Sequence, residues 1–414
     1  MLKTIISKAK NLWSDSLYRN SFWLISGSFA MAGIGLFYWM IAARLYTPEQ
    51  IGLAATFLSA VALINSFAML GFSTTLIRYL PTSEVKEKKI NTAFTVVSIT
   101  ALVIGVIYLI GLPIFTNKLL FIRGSIPLLL MMIIFFPINT INGITDSVFT
   151  AFREAHWVFV SNITQSAVKL VSLVFLSSLG VWGVIGSNMV AIVVATLLCL
   201  ILISKRFNIN FKPTIDEEIL LRLKNFALGN YVSGLIGSLP NMILPIIITN
   251  RLSPAQTAYF YMPNMIAGLL NVIPSSIARS YFTESSHADT KLSIKKPLLL
   301  TFGFTIPLIA LLISFGKKIL SFFGSRYSIE GYGFLVLISI SVIVSILSYF
   351  LSYRLLLCNK LKLIVIIQSI ISSLYILAVY VFSRFGIIGI GISILSTKIL
   401  ELIIFVVLNS VKYR

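Results

Sequence analysis

Acidic side chains are scarce in this chain. Its 414 residues carry 13 Asp and Glu against 33 Lys and Arg, and only 11% are charged. The one run of carboxylates, Asp216-Glu217-Glu218, reads as the acidic first turn of a helix, so the paired carboxylates that general acid–base catalysis uses have no second place to sit. Cysteine and histidine are almost missing. Cys199 and Cys358 lie in different halves, within or beside apolar runs, which excludes a disulfide framework and a metal knuckle. His156 and His287 fall in different loops and read as ordinary loop residues. Glycine-rich phosphate loops are absent, and long polar loops are absent too: the longest on the outer side runs only from about Gly316 to Gly331. No enzyme, cofactor or metal is expected from such a chain.

Apolar sequence fills the space instead. Hydrophobic residues make up 57% of the chain, whereas soluble domains carry roughly 45–50% apolar and about 25% charged residues. Windows of roughly 20 residues, the length that crosses a bilayer core, predict an all-α integral membrane protein with about twelve transmembrane helices. They run approximately over 21–43, 51–76, 92–115, 126–151, 157–179 and 181–203, then 226–249, 255–282, 297–315, 333–357, 361–381 and 386–408.

Lys and Arg set the orientation. With the N- and C-termini in the cytoplasm, the outer side receives only Arg44, Lys118, Arg123, Arg251, Lys317, Lys318, Arg326 and Arg384, while Lys169 and Lys398 lie within helices and the rest face inward. The net charge of +20 then reflects topology and an anionic inner leaflet of the cell membrane, with no nucleic-acid partner. Residues 1–20 read as an interfacial helix, with Leu2, Ile5, Ile6, Ala9, Leu12 and Trp13 on one face and Lys3, Lys8 and Lys10 off it. A cleaved signal peptide does not fit, because the apolar run that follows is too long.

The chain also repeats itself. Arg44-Leu45-Tyr46-Thr47-Pro48-Glu49-Gln50 is echoed by Arg251-Leu252-Ser253-Pro254-Ala255-Gln256, with Pro48 and Pro254 206 positions apart. Gly180-Val181-Trp182-Gly183 and Gly386-Ile387-Ile388-Gly389 repeat at that same offset, and Thr74-Thr75-Leu76-Ile77-Arg78 resembles Ser275-Ser276-Ile277-Ala278-Arg279. Six spans in each half make the repeat parallel, related by an axis along the membrane normal. The expected organisation is an N-lobe over 21–203, a cytoplasmic linker over 204–224 in which Thr214-Ile215-Asp216-Glu217 forms a capping box, and a C-lobe over 225–414.

Chemistry must then reside in polar groups within the spans, where a charge at the helix centre costs at least about 2.5–3.5 kcal/mol. In span five Asn162, Gln165, Lys169 and Ser172 form one stripe, and in span four Asn139, Asn142, Asp146 and Thr150 form another. If the two helices make a hairpin turning near Glu154, Asn139 comes beside Lys169 and Asp146 beside Asn162, so that both stripes line one cavity. The bland alternative is helix-to-helix glue, at roughly 0.6 kcal/mol per interhelical hydrogen bond. In span twelve Lys398 and Glu401, spaced i, i+3, are expected to pair with each other. The Ser341, Ser345, Ser348 and Ser352 face of span ten reads as close packing. Arg78 and Arg279 occupy matching cytoplasmic ends of spans two and eight, where topology alone could explain them.

Arg44-Leu45-Tyr46-Thr47-Pro48-Glu49-Gln50-Ile51-Gly52-Leu53, followed by Leu70-Gly71-Phe72-Ser73-Thr74-Thr75-Leu76-Ile77-Arg78-Tyr79-Leu80-Pro81, resembles the opening helices of Wzx-like polysaccharide flippases in the multidrug/oligosaccharidyl-lipid/polysaccharide (MOP) exporter superfamily. Ile319-Leu320-Ser321-Phe322-Phe323-Gly324-Ser325-Arg326-Tyr327 resembles the segment before their tenth span. The resemblance implies two six-helix lobes around a central cavity, alternating access, and a polyprenyl- or dolichyl-diphosphate-linked oligosaccharide carried from the cytoplasmic to the outer leaflet. The partners it implies are that glycolipid, membrane lipids and glycan-assembly enzymes, around a monomer. This chain's own pattern then suggests Lys169 as charge partner of the diphosphate, Arg78 and Arg279 as entrance guides, and Asn142, Asn162 and Gln165 as sugar contacts. A cation-coupled multidrug exporter of the same superfamily stays open, with Asp146 as the group that would couple to H⁺ or Na⁺. A non-transporting scaffold or a glycan polymerase is the remaining alternative, although a polymerase should bring a large external loop or an acidic metal motif.

Overall fold

The computed structural model describes residues 16–222, 228–287, 293–358 and 360–410, and every regular element among them is helical. The long helices are α1 (Ser16–Leu45), α2 (Pro48–Ala68), α3 (Phe72–Tyr79), α4 (Lys86–Ile110), α5 (Ile126–Ala151), α6 (Ala155–Phe175) and α7 (Val181–Phe207), then α8 (Leu228–Arg251), α9 (Pro254–Leu270), α10 (Val272–His287), α11 (Lys295–Ser321), α12 (Tyr332–Leu357), α13 (Leu361–Phe382) and α14 (Gly386–Ser410). Eight helical stretches among the described residues are long and apolar enough to cross a membrane. Their outward faces are apolar as well: Ile99, Ile107, Ile110, Ile134, Phe175 and Leu299 are each more than half exposed. Such faces leave water only against acyl chains, so this is a multi-pass membrane protein.

The spans expected over 51–76 and 255–282 are each broken in two. Leu70 and Gly71 both have positive φ, 47° and 81°, which ends α2 and lets α3 start in a new direction. The corresponding break between α9 and α10 falls at Asn271. Pairing α2 with α3 and α9 with α10 accommodates the twelve expected windows. The interfacial helix expected at residues 1–20 lies, up to residue 15, outside the described residues, and Ser16 already belongs to α1.

The chain forms two compact units. The first comprises the described residues up to Leu45 with Ala60–Leu235, and the second comprises Tyr46–Ser59 with Ile236 onward. Within the first unit α3 packs on α5, α4 on α5, α5 on α7 and α6 on α7. Within the second, the corresponding helices of the repeat make the same pairs: α10 on α12, α11 on α12, α12 on α14 and α13 on α14. The sequence repeat is therefore a repeat of packing.

The shared motifs explain why the two copies fold alike. Thr47 and Gln50 cap the start of α2 reciprocally, Thr47 N–H donating to Gln50 Oε1 at 3.1 Å and Gln50 N–H to Thr47 Oγ1 at 3.4 Å. Ser253 takes the same position before α9 and accepts from Gln256 N–H at 3.2 Å. Pro48 and Pro254 each fill the first helical position, where the missing N–H costs nothing. Gly180 and Gly386, at the starts of α7 and α14, hold φ of 57° and 71° after a tight 3-10 turn, a region that side chains with a Cβ rarely enter.

The described residues that follow α7 are held against α4. Lys89, buried in α4, pairs with Glu218 at 3.5 Å, and Asn91 Nδ2 donates to the Asn210 carbonyl at 2.8 Å. The short helix Glu217–Arg222 is capped by Asp216, whose Oδ1 accepts from Glu218 N–H at 2.9 Å. Thr214, expected to cap it, instead donates through Oγ1 to the Lys212 carbonyl, while its N–H binds Thr95. The aspartate is one residue from the helix and the threonine three, so the aspartate wins the cap.

Candidate functional site

The polar stripes of α5 and α6 lie on helices whose other faces are packed. α5 buries Met132, Phe135, Phe136, Thr140, Ile144, Val148 and Phe149, which leaves Asn139, Asn142, Asp146 and Thr150 on its half-buried side. Pro137 sits inside α5 and deprives the carbonyl of Ile133 of its helical donor, softening the helix beside this stripe. α6 buries Ala155, Val158, Ser161, Ser166 and Leu173, leaving Asn162, Gln165 and Lys169 half-buried.

None of the side chains of Asn139, Asn142, Asp146, Asn162 or Gln165 forms a hydrogen bond or ion pair with a described residue, and none of their polar atoms is sealed off. Interhelical glue would have shown the opposite, amides and carboxylate bonded across a tight interface. These groups are half-buried and unpaired among the described residues. Asn65 of α2 differs: it approaches α5 at Gly143, and its Oδ1 is buried with no hydrogen-bond partner among the described residues. An orphaned acceptor of that kind costs about 1–3 kcal/mol until something donates to it.

Lys169 takes a place that spacing alone did not reveal. α6 packs mainly against α1 and α7 and less against α5, so the ammonium of Lys169 lies over the ring of Tyr38 on α1, 4.4 Å from its centroid. No carboxylate among the described residues pairs with it. The hairpin register that would bring Asn139 to Lys169 and Asp146 to Asn162 produces no hydrogen bond between either pair. Tyr38 is fully buried and fixed at its hydroxyl, which lies 2.9 Å from Ser187 Oγ and accepts from Asn188 Nδ2 at 2.7 Å. A ring face held this way stabilises an ammonium by about 0.5–2 kcal/mol without supplying a counter-charge, so Lys169 is held in place against Tyr38. Tyr38, Ser187 and Asn188 were missed in the sequence because two belong to α7 and one to α1, far apart along the chain; the only signal was a tyrosine inside an apolar span.

Arg78 is exposed near the end of α3, its guanidinium 5.4 Å from the ring of Tyr79, and Arg279 is exposed in α10 at the equivalent place of the second unit. Lys398 and Glu401 make the expected i, i+3 ion pair at 2.7 Å. His156 lies in the first turn of α6 against Trp157, and the side chain of His287 lies outside the described residues. No group of three or more His, Cys, Asp and Glu that could hold a metal exists among the described residues.

A family model described as polysaccharide biosynthesis protein matches residues 17–282. No curated protein sequence is significantly similar to the chain. Among solved structures, an inward-facing multidrug resistance MATE family transporter of the MOP superfamily is similar with a TM-score of 0.68 at 15% identity, over 92% of this chain and 94% of that one. The lipid II flippase MurJ in an inward closed conformation gives a TM-score of 0.70 at 16% identity, over 94% and 87%. A MOP superfamily transporter from Pyrococcus furiosus gives 0.56 at 13% identity, over 97% and 96%. At such identities the likeness is one of fold, and that fold is the MOP transporter fold.

Proposed function

Because the chain belongs to the polysaccharide biosynthesis protein family, we propose that it is a flippase, carrying a lipid-linked oligosaccharide from the cytoplasmic to the outer leaflet of the cell membrane by alternating access. The cargo has a polyprenyl or dolichyl tail that can stay in the bilayer and an anionic, hydroxylated head that cannot cross hydrocarbon unaided. One observation carries the reading: within an apolar bundle, the α5 and α6 stripes present amides with no side-chain hydrogen bond to a described residue, on the same helices as a lysine that an aromatic ring holds without a counter-charge. Lys169 meets the diphosphate, Asn142, Asn162 and Gln165 replace water around the sugars, and Arg78 and Arg279 attract the head group at the cytoplasmic entrance, with both termini on that side. The lipid II flippase among the structural neighbours supports a lipid-linked cargo, and monomeric operation beside glycan-assembly enzymes completes the reading.

The test is flipping in proteoliposomes loaded with a fluorescent prenyl-diphosphate-linked oligosaccharide, read by quenching with an impermeant reductant. Protein-dependent loss of the protected signal is expected. A protein that leaves the glycolipid in place but expels cationic dyes down a Na⁺ or H⁺ gradient would establish the exporter reading, for which Asp146, a half-buried carboxylate without an ion pair among the described residues, is the favouring observation.

A further inference from the structure

The second unit contains a polar cavity of about 590 Å³ that the flipping stripes do not account for. That volume falls within the roughly 300–1,000 Å³ of small-molecule sites. Its polar lining is largely uncharged: Asn241, Asn264 and Gln368 contribute amides, Tyr349 and Tyr375 contribute phenols, and Ser341 contributes a hydroxyl from α12. The serine face of α12, expected to be pure packing, thus has one edge on a cavity. Asn264 and Gln368 form no side-chain hydrogen bond with a described residue, so each offers a donor and an acceptor.

Charge decides what this cavity can take. Lys398 and Glu401 both line it, and their contact at 2.7 Å leaves the wall with no net charge. A diphosphate would find no uncompensated cation there. An inorganic cation would find the carboxylate already occupied by an ammonium, and no cluster of three acidic or metal-binding groups exists among the described residues. What remains is a neutral ligand dense in hydroxyl or amide groups, each needing a donor and an acceptor, with C–H faces to lay on the tyrosine rings.

We propose that this cavity is a subsite for an uncharged sugar residue of the transported glycolipid; the inference rests on the flippase reading above. Glycan recognition then falls to Asn264 and Gln368, within the second unit alone.

The experiment measures binding of two probes to the full-length protein in detergent, farnesyl diphosphate and farnesyl diphosphate bearing an N-acetylglucosamine disaccharide. Wild type is expected to bind the sugar-bearing probe more tightly. Asn264→Ala and Gln368→Ala should each weaken that probe by about three- to tenfold, the effect of losing one or two neutral hydrogen bonds, and leave farnesyl diphosphate unchanged. Gln368→Leu, which keeps the volume, guards against misfolding and should behave as Gln368→Ala. Equal affinity of wild type for both probes, or variants that keep the full preference for the sugar, would overturn the subsite and leave the flippase reading standing. Failure of wild type to bind either probe would overturn the flippase reading and the subsite together.

Discussion

Gly52 of α2 lies directly against the backbone of Pro254 at the start of α9, so closely that a methyl group at Gly52 would collide with the Pro254 carbonyl. These residues belong to the two copies of one capped-helix motif, and the second unit holds them in contact. Thr56, one turn on, extends the junction through its hydroxyl to Thr249 of α8. Because the obstacle is backbone, it cannot swing aside. Gly52→Ala should therefore destabilise the protein by about 1–3 kcal/mol, seen as a lower midpoint of thermal unfolding in detergent. Gly33→Ala in α1, where nothing lies within 4 Å, should hold or raise the midpoint, since glycine inside a helix costs roughly 0.5–1 kcal/mol against alanine. Equal midpoints for the two variants would remove the close approach from the account.

Gly386 tests the backbone alone. No neighbouring atom lies within 4 Å of a Cβ built there, yet its φ is 71°. Gly386→Ala should cost about 1–3 kcal/mol through strain alone, again by thermal unfolding. An alanine variant as stable as wild type would mean that the turn before α14 relaxes freely.

The spans and the repeat were legible because hydropathy and a doubled motif are written along the chain, one residue after another. Caps were harder to read: the capping box expected at Thr214 gave way to Asp216, and those at Thr47 and Ser253 emerged only from the structure. The breaks at Leu70 and Asn271 were hidden, because a leucine at positive φ carries no sequence signal. The polar stripes could be read from helical spacing, but not what they face: Lys169 finds Tyr38 because α6 leans on α1 rather than pairing register for register with α5. The cavity around Gln368 was invisible for a similar reason, being assembled from residues of α8, α9, α12, α13 and α14.

Asp146 offers a test of how the cycle is driven. If its carboxylate titrates or binds Na⁺ during transport, Asp146→Asn keeps the shape, removes the charge and should abolish any dependence of flipping on a proton or sodium gradient imposed across proteoliposomes. Gradient dependence that survives the substitution would leave Asp146 as a polar residue of the α5 stripe with no part in coupling.

Lys169 and Tyr38 permit the sharpest separation of roles. Lys169→Ala should reduce flipping of the lipid-linked oligosaccharide by tenfold or more, the loss of about 1.4 kcal/mol or more from a charge-assisted contact of roughly 1.5–3 kcal/mol, while the protein stays folded, because removing a half-buried charge relieves a desolvation cost. Lys169→Arg should retain part of the rate, keeping charge but changing shape. Tyr38→Phe preserves the ring under the ammonium and deletes only the hydroxyl that meets Ser187 and Asn188, so it should slow flipping less than Tyr38→Leu, which removes the π face and its attraction of about 0.5–2 kcal/mol. If Lys169 were a structural clamp instead, Lys169→Ala would lower the unfolding midpoint as much as Tyr38→Leu does and leave the rate per folded molecule unchanged. Flipping rates normalised to folded protein, measured beside unfolding midpoints for the four variants, distinguish the two.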